Sequence, residues 1–376
     1  MSVAIPMASA DLDESDLEAV VEVVRSGRLA LGARTHEFEE LLASYVGVRH
    51  AVAVNSGSAA LHLAVKALNL GPGDEVLVPS FTFAASVNAF LFEGAAPVFV
   101  EIEAETYNLD PADLEQRITP RTRAIMAVDA FGHPADWDAL DRIAAKHGLA
   151  VIDDSCEALG AAYRGRRLGQ FGDAAAFAFY PNKQITTGEG GMLVTNRDDI
   201  ATMARSLRNQ GREEMSAWLD HRYLGYNYRL DEMSAALGVS QMRRLDTFLA
   251  KRAHVAALYS ERLGGGDCVR VPHVRPEVTM SWFVYVVTLA ADLDRDAVMR
   301  GLEQRGVPSR GYFSPVHLQP YIQERFGCRE GSLPITERLA RHTIALPFHN
   351  NLTEREVDRV ATALEAVTAE LRGSAV

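Results

Sequence analysis

Two adjacent carboxylates, and a lysine 29 residues further on, are the side chains of this sequence whose types and spacing best suit chemistry. They lie in VIDDSCEALGAAYRGRRLGQFGDAAAFAFYPNKQITTGEGGMLVTN, residues 151–196. Asp153 and Asp154 close a short apolar run, and the C-terminal ends of strands are where open α/β sheets bind ligands. Lys183 stands just past a second apolar run and is followed by the turn TTGEGG. A carboxylate and a lysine at strand ends suit pyridoxal phosphate. That cofactor needs a lysine for its Schiff base and an acid to keep its pyridinium nitrogen protonated. The lysine must also shuttle a proton, so it must be able to shed its charge, which desolvation and nearby cofactor charge favour.

Two further motifs point the same way. In NSGSAALHLA, residues 55–64, a short strand leads into a helix that begins near Ser58, and free amides at a helix start suit a phosphate. In PSFTFAAS, residues 79–86, Phe83 stands just after a strand end, where its ring can stack on a flat heteroaromatic. Taken singly, each feature has a plain structural reading: an N-cap serine, a core phenylalanine, a turn aspartate, a surface lysine. The crowding of three glycines and two threonines beside Lys183 is not ordinary surface sequence. Neither GxGxxG nor a Walker loop is present in these segments, so nucleotide binding through those motifs is not supported.

The elements that must hold these residues read as alternating strand and helix. Residues 14–26 form an amphipathic helix stopped by Gly27. From Val52 onward, apolar runs at 51–54, 75–80, 96–102, 123–132 and 149–155 alternate with helical stretches, and 174–180 and 191–196 read as two more strands. This pattern predicts a mainly parallel sheet covered by helices on both faces. Residues 231–263 read as one long helical stretch, and 281–289 as a strand. A helix at 294–306 and a closing helix at 353–373 complete an α+β tail. The expected division is a large domain of residues 1–250, including the N-terminal helix, and a small C-terminal domain of residues 251–376.

The chain has 376 residues, enough to bury a large core without staples. Three scattered cysteines, Cys156, Cys268 and Cys328, give neither a disulfide framework nor a metal site, so a reducing cytoplasm is expected and no metal. With 38 basic against 50 acidic residues the net charge is −12, which argues against nucleic acid or anionic lipid as the main partner. No apolar run is long enough to span a membrane, and the first residues lack the pattern of a signal peptide.

The segments SGSAALHLA, PSFTFAASVNAF, PVFVEIEAETYNLDP, DDSCEALGA, FGDAAAFAFYPNKQITTGEGG, LGYNYRLDEMSAALG and SPVHLQPY, in this order, resemble the DegT/DnrJ/StrS family of sugar aminotransferases. The family has the aspartate-aminotransferase-like fold, fold type I of pyridoxal phosphate enzymes. The resemblance implies that Lys183 holds the cofactor and Asp154 pairs with its ring nitrogen. It further implies that Ser58 and Ala59 hold the phosphate, that Phe83 lies against the ring, and that Asn227 reaches the phosphate of a neighbouring subunit. A homodimer with shared active sites follows from that last role. Glu157 stands where many members have Gln or His and resembles the perosamine-synthase branch; it is placed near the cofactor. Ala178 stands where many members carry a phosphate-binding serine. Tyr312, His317 and Tyr321 are candidates for a sugar pocket, each equally readable as packing. The cluster Arg164, Arg166 and Arg167 reads as a solvated hairpin turn rather than a diphosphate site.

The activity implied is transfer of an amino group from an amino acid, glutamate in most of the family, to a keto sugar nucleotide. The cofactor would alternate between pyridoxal and pyridoxamine phosphate. Alternatives are a cyclitol ketone as acceptor, or a regulatory protein that keeps the fold. Members that act as deoxysugar dehydratases carry histidine in place of the lysine, so Lys183 argues against that activity.

Overall fold

The computed structural model describes residues 5–212 and 220–373. Seven strands form the central sheet, in the spatial order His50–Val54, Gly191–Thr195, Ala174–Ala178, Ala150–Asp154, Thr122–Val128, Glu75–Pro79, Ala96–Val100. All neighbours from Ala174–Ala178 to Ala96–Val100 pair in parallel, whereas Gly191–Thr195 runs antiparallel to both strands beside it. Successive side chains point to opposite faces, and both faces are apolar. Val52, Val76, Met126 and Leu193 pack under the helices Gly57–Ala67, Ala84–Leu91 and Asp198–Arg208. Ala51, Phe177 and Val194 pack on the other side against Ala33–Val46 and Glu232–Met242, and Leu77, Ile125 and Val151 against Trp137–His147. Double coverage is why these strands read as continuous apolar runs.

The N-terminal helix is Glu14–Ser26. The side chain of Asp13 accepts the Ser15 amide at its start, and Gly27, with φ of 68°, takes the left-handed conformation that ends it. The stretch expected as one helix at 231–263 is two, Glu232–Met242 and Leu245–Leu263. Between them, Arg243 pairs with Glu37, and Arg244 with Asp13 and Asp16, and no glycine or proline marks the break.

A second core lies beyond the sheet. Val269–Arg270, Tyr285–Leu289 and Thr343–Leu346 form a three-stranded antiparallel sheet. Helices Leu245–Leu263, Arg295–Gln304 and Glu354–Gly373 contribute Tyr259, Val298 and Leu364 to the core it shares with them. Ile5 is buried in this core too, and the amide of Phe348 bonds to the carbonyl of Met7, so the start of the described chain packs on the C-terminal lobe. Among the described residues no helix is long and apolar enough to cross a membrane.

Candidate active site

The strand Ala150–Asp154 ends in two carboxylates that alternation sends to opposite faces. Asp154 opens into a cavity of about 540 Å³, a size suited to a small-molecule ligand. Its Oδ2 accepts the Ser86 hydroxyl at 2.6 Å and its Oδ1 accepts the Cys156 amide at 3.2 Å, which fixes the carboxylate plane. Asp153 points away and is buried beside Asp129. The Ser155 hydroxyl lies 2.7 Å from Asp153 and 2.8 Å from Asp129, and the Gly169 amide donates to Asp153. Burial pushes both carboxyls up, and the charge of Asp129 pushes Asp153 further, so the pair retains a proton well above the ordinary carboxylate range.

Lys183 enters the same cavity from the loop after Ala174–Ala178. Its Nζ is 3.7 Å from Glu157 Oε1 and 3.8 Å from the centroid of the Phe283 ring. The other oxygen of Glu157 accepts the Phe131 amide at 3.0 Å. Burial raises the Glu157 carboxyl above its usual range, against the opposing pull of Lys183. The turn TTGEGG folds back onto the strand end: the Thr186 hydroxyl donates to the Phe179 carbonyl at 3.1 Å and the Thr187 hydroxyl to the Glu189 carbonyl at 2.7 Å. Glycine is required in it, because a Cβ at Gly191 would stand 2.3 Å from the Ser56 carbonyl oxygen.

The helix Gly57–Ala67 starts at the cavity wall, capped by Ser56, whose hydroxyl accepts the Ala59 amide at 3.1 Å. Ser58 lines the cavity; Ala59 is buried one residue behind it. Phe83, at the start of the helix Ala84–Leu91, also lines the cavity and is 66% exposed. Tyr312 closes the side formed by the C-terminal lobe, with its phenol pushed up to about 12 by burial and by the charge of Glu157.

Lys183, Asp154, Ser58, Phe83, Glu157 and Tyr312 therefore share one cavity. Four other expected positions lie outside its lining. Ala59 sits behind it, as described. His317 is corrected: it is 1% exposed, with its Nδ1 2.7 Å from the Ser80 hydroxyl and its Nε2 3.1 Å from Glu337, so it ties the C-terminal lobe to a strand end and has no surface to offer a sugar of this chain's own cavity. Tyr321 donates its hydroxyl to Asn88 at 2.8 Å on the surface. Asn227 is exposed and lies outside the cavity of its own chain. The arginine cluster forms a hairpin with strands Ala162–Tyr163 and Arg166–Arg167; Arg164 pairs with Asp138, while Arg166 and Arg167 cover the rings of Phe171 and Tyr45.

Sequence reading missed Phe283 on the wall, and behind the wall Ser86 and the Phe131 amide, which hold Asp154 and Glu157. The spacing of Thr82 and Ser86 was the available signal: four residues apart, their hydroxyls meet at 2.8 Å across the first turn of the helix Ala84–Leu91. No cluster of three metal-ligating side chains occurs among the described residues.

The family profile described as the DegT/DnrJ/EryC1/StrS aminotransferase family matches residues 10–365. The chain belongs to that family. It is 42% identical over 371 residues to GDP-perosamine synthase of Caulobacter vibrioides, covering 96% of this chain and 98% of the relative. It is 41% identical over 349 residues to dTDP-3-amino-3,4,6-trideoxy-alpha-D-glucose transaminase of Streptomyces venezuelae, covering 92% of this chain and 90% of the relative. The solved structure of S. venezuelae DesV in complex with a ketimine intermediate superposes with a TM-score of 0.89 at 39% identity, covering 94% of each chain. The mainly parallel seven-stranded sheet with its C-terminal α+β lobe is fold type I of the pyridoxal phosphate-dependent aminotransferases.

Proposed function

We propose that this aminotransferase binds pyridoxal phosphate and moves an amino group from an amino acid, L-glutamate, to a nucleotide-linked 4-keto-6-deoxy sugar for amino-sugar or polysaccharide synthesis. The observation that carries the reading is the convergence of the Lys183 amine and the Asp154 carboxylate on one cavity beside the exposed Phe83 ring. When bound, pyridoxal phosphate supplies an aldehyde for an amine and a ring that withdraws electrons from the substrate carbon.

The residues present fit that group. Asp154, fixed by Ser86 and the Cys156 amide, would hold a proton on the ring nitrogen. Phe83 offers a flat face. Ser58 and the start of the helix Gly57–Ala67 offer donors to a phosphate. Lys183, once freed by the incoming amine, would carry the proton to and from the substrate carbon, with Glu157 beside it able to take or return one.

The likeness to GDP-perosamine synthase, together with an acid at Glu157, supports a keto sugar nucleotide as acceptor. We assign the cofactor site to a large domain of residues 1–250 and its cover, with Phe283 and Tyr312, to a small domain of residues 251–376. The working unit is a homodimer in which Asn227 serves the partner's phosphate site. Its support is that Asn227 is exposed and outside the lining of its own cavity, and that the rings of Phe83 and Tyr180 stand exposed at the cavity. Three free cysteines suit the reducing cytoplasm.

The chain has four lysines, Lys66, Lys146, Lys183 and Lys251, so the test is direct. Borohydride reduction of the yellow protein should fix the cofactor on Lys183 by peptide mass, and an adduct on another lysine overturns the site. The amine-form protein, offered a panel of 4-keto and 3-keto sugar nucleotides and cyclitol ketones, should regain the aldehyde-form absorbance with a 4-keto sugar nucleotide. A response to a cyclitol ketone alone would replace the acceptor.

A further inference from the structure

Arg252 lies on the helix Leu245–Leu263 and is 2% exposed. Its electrostatic support is Asp11, whose own carboxylate is bonded to Lys251 at 2.7 Å, and burial pulls the guanidinium down to about 10. Its two terminal nitrogens donate to four backbone carbonyls, while its Nε is buried without a partner. Nη1 donates to Trp282 at 3.0 Å and Phe283 at 3.1 Å; Nη2 donates to Asn182 at 3.4 Å and Lys183 at 2.8 Å. Two of these acceptors belong to the turn that presents Lys183, and two to the segment that presents the Phe283 ring to its Nζ.

A second tie crosses the same joint. Gln184, next to the lysine, donates its side-chain amide to the Glu157 carbonyl at 2.6 Å and to the Ser281 hydroxyl at 3.0 Å. A charged group held away from water beside four carbonyls is an expensive arrangement to bury, and a planar fork is the one side chain that reaches two pairs of acceptors from a single stem. A lysine there keeps the charge but loses the fork; a methionine keeps the length and leaves buried carbonyls without a donor.

We propose that Arg252 is the positioning residue of the active-site lysine, clasping the Lys183 turn to the 282–283 segment so that Nζ is held between the Phe283 ring and Glu157. It rests on the reading of Lys183 as the active lysine, and it adds a residue that touches neither cofactor nor substrate.

The test uses the full-length protein stripped of bound cofactor, so that the Lys183 amine is free to react and the outcome is separate from the borohydride result. Limiting acetic anhydride labels the lysines in proportion to the reactivity of each, and Lys66 and Lys146 serve as internal references. In Arg252→Lys and Arg252→Met, the labelling of Lys183 relative to those two should change by about threefold or more, and hydrogen exchange across residues 180–187 should quicken by about tenfold. Exchange in the strand Gly191–Thr195 should stay at the wild-type rate. Wild-type labelling and exchange at Lys183, or a change shared equally by all the lysines, overturns the proposal. If neither Arg252 variant folds, Ser281→Ala decides: it removes one hydrogen bond from the same joint and should change the same two readouts in the same direction, and no change there overturns it. Failure of the borohydride test with the labelling result intact would leave the clasp standing and remove the cofactor assignment alone.

Discussion

Glu157 faces Lys183 with one carboxylate oxygen, at 3.7 Å, and holds the Phe131 amide with the other, at 3.0 Å. The acid is thus anchored by backbone on one side and offers a proton-accepting atom to the lysine on the other.

Glu157→Gln keeps an acceptor for the Phe131 amide and loses the titration. Burial raises the acid, so its neutral form persists to higher pH, and it gains the charge that pairs with Lys183 only as the pH climbs past that raised value. The variant should retain cofactor and lose this step from the pH profile of the keto-sugar half-reaction, measured by stopped flow from acid to mildly alkaline pH. A profile that superposes on the wild type would reduce Glu157 to an anchor for Phe131.

Asp154→Asn tests the carboxylate whose plane Ser86 and the Cys156 amide fix. A neutral amide cannot hold a proton on the ring nitrogen, so electrostatic support for the negative charge developing at the substrate carbon is lost. Cofactor binding should survive better than turnover, with each half-reaction slowed by about a hundredfold or more. Single-turnover rates close to wild type would rule the role out.

Much of this site was legible because its chemistry sits at strand ends, and strand ends show in sequence as apolar runs that stop. Asp154 and Lys183 stood out for that reason. Less local features did not. The helix Ala33–Val46 begins at Gly32 with no cap of its own, and its first amides, Arg34 at 2.8 Å and Thr35 at 3.0 Å, are taken by Glu232 from about two hundred residues away. That cap cannot be read from neighbouring residues, although the helix itself carries Phe38, Leu42 and Val46 on one buried face. The resemblance of SPVHLQPY set His317 beside the sugar, yet Ser80 and Glu337, which hold its ring, lie on other elements. The four carbonyls that Arg252 bonds carry no side-chain signature at all.

The Asp129 and Asp153 pair gives a prediction about stability. Both carboxyls are raised, chiefly by burial, so the folded chain keeps a proton that the unfolded chain loses once the pH passes the ordinary carboxylate value near 3.8. A raised acid makes stability fall as pH rises from there through the folded value. Asp153→Asn mimics the protonated acid: its oxygen can accept the Gly169 amide while its nitrogen donates to Asp129. Urea unfolding at several pH values from 6 to 9 should show a flatter dependence for the variant, and greater stability than wild type at the alkaline end. Parallel curves would show that the pair holds no proton in that range.

The shared active site can be tested with two inactive proteins. Lys183→Ala removes the amine, and Asn227→Asp would set a carboxylate against the partner's phosphate. Asn227 is exposed and outside its own cavity, which is the motive for placing it in trans. A two-fold dimer makes such exchange reciprocal, so a mixed dimer would carry both lesions in one site and none in the other. Equal random mixing makes half the dimers mixed, and half the sites of those are intact, so about a quarter of wild-type activity should return. If Asn227 served its own subunit, every mixed site would carry one lesion and nothing would return. Each variant must be inactive alone, and subunit exchange must be confirmed by mass on tagged chains. With both conditions met, no recovery of activity places Asn227 in cis and removes the shared site.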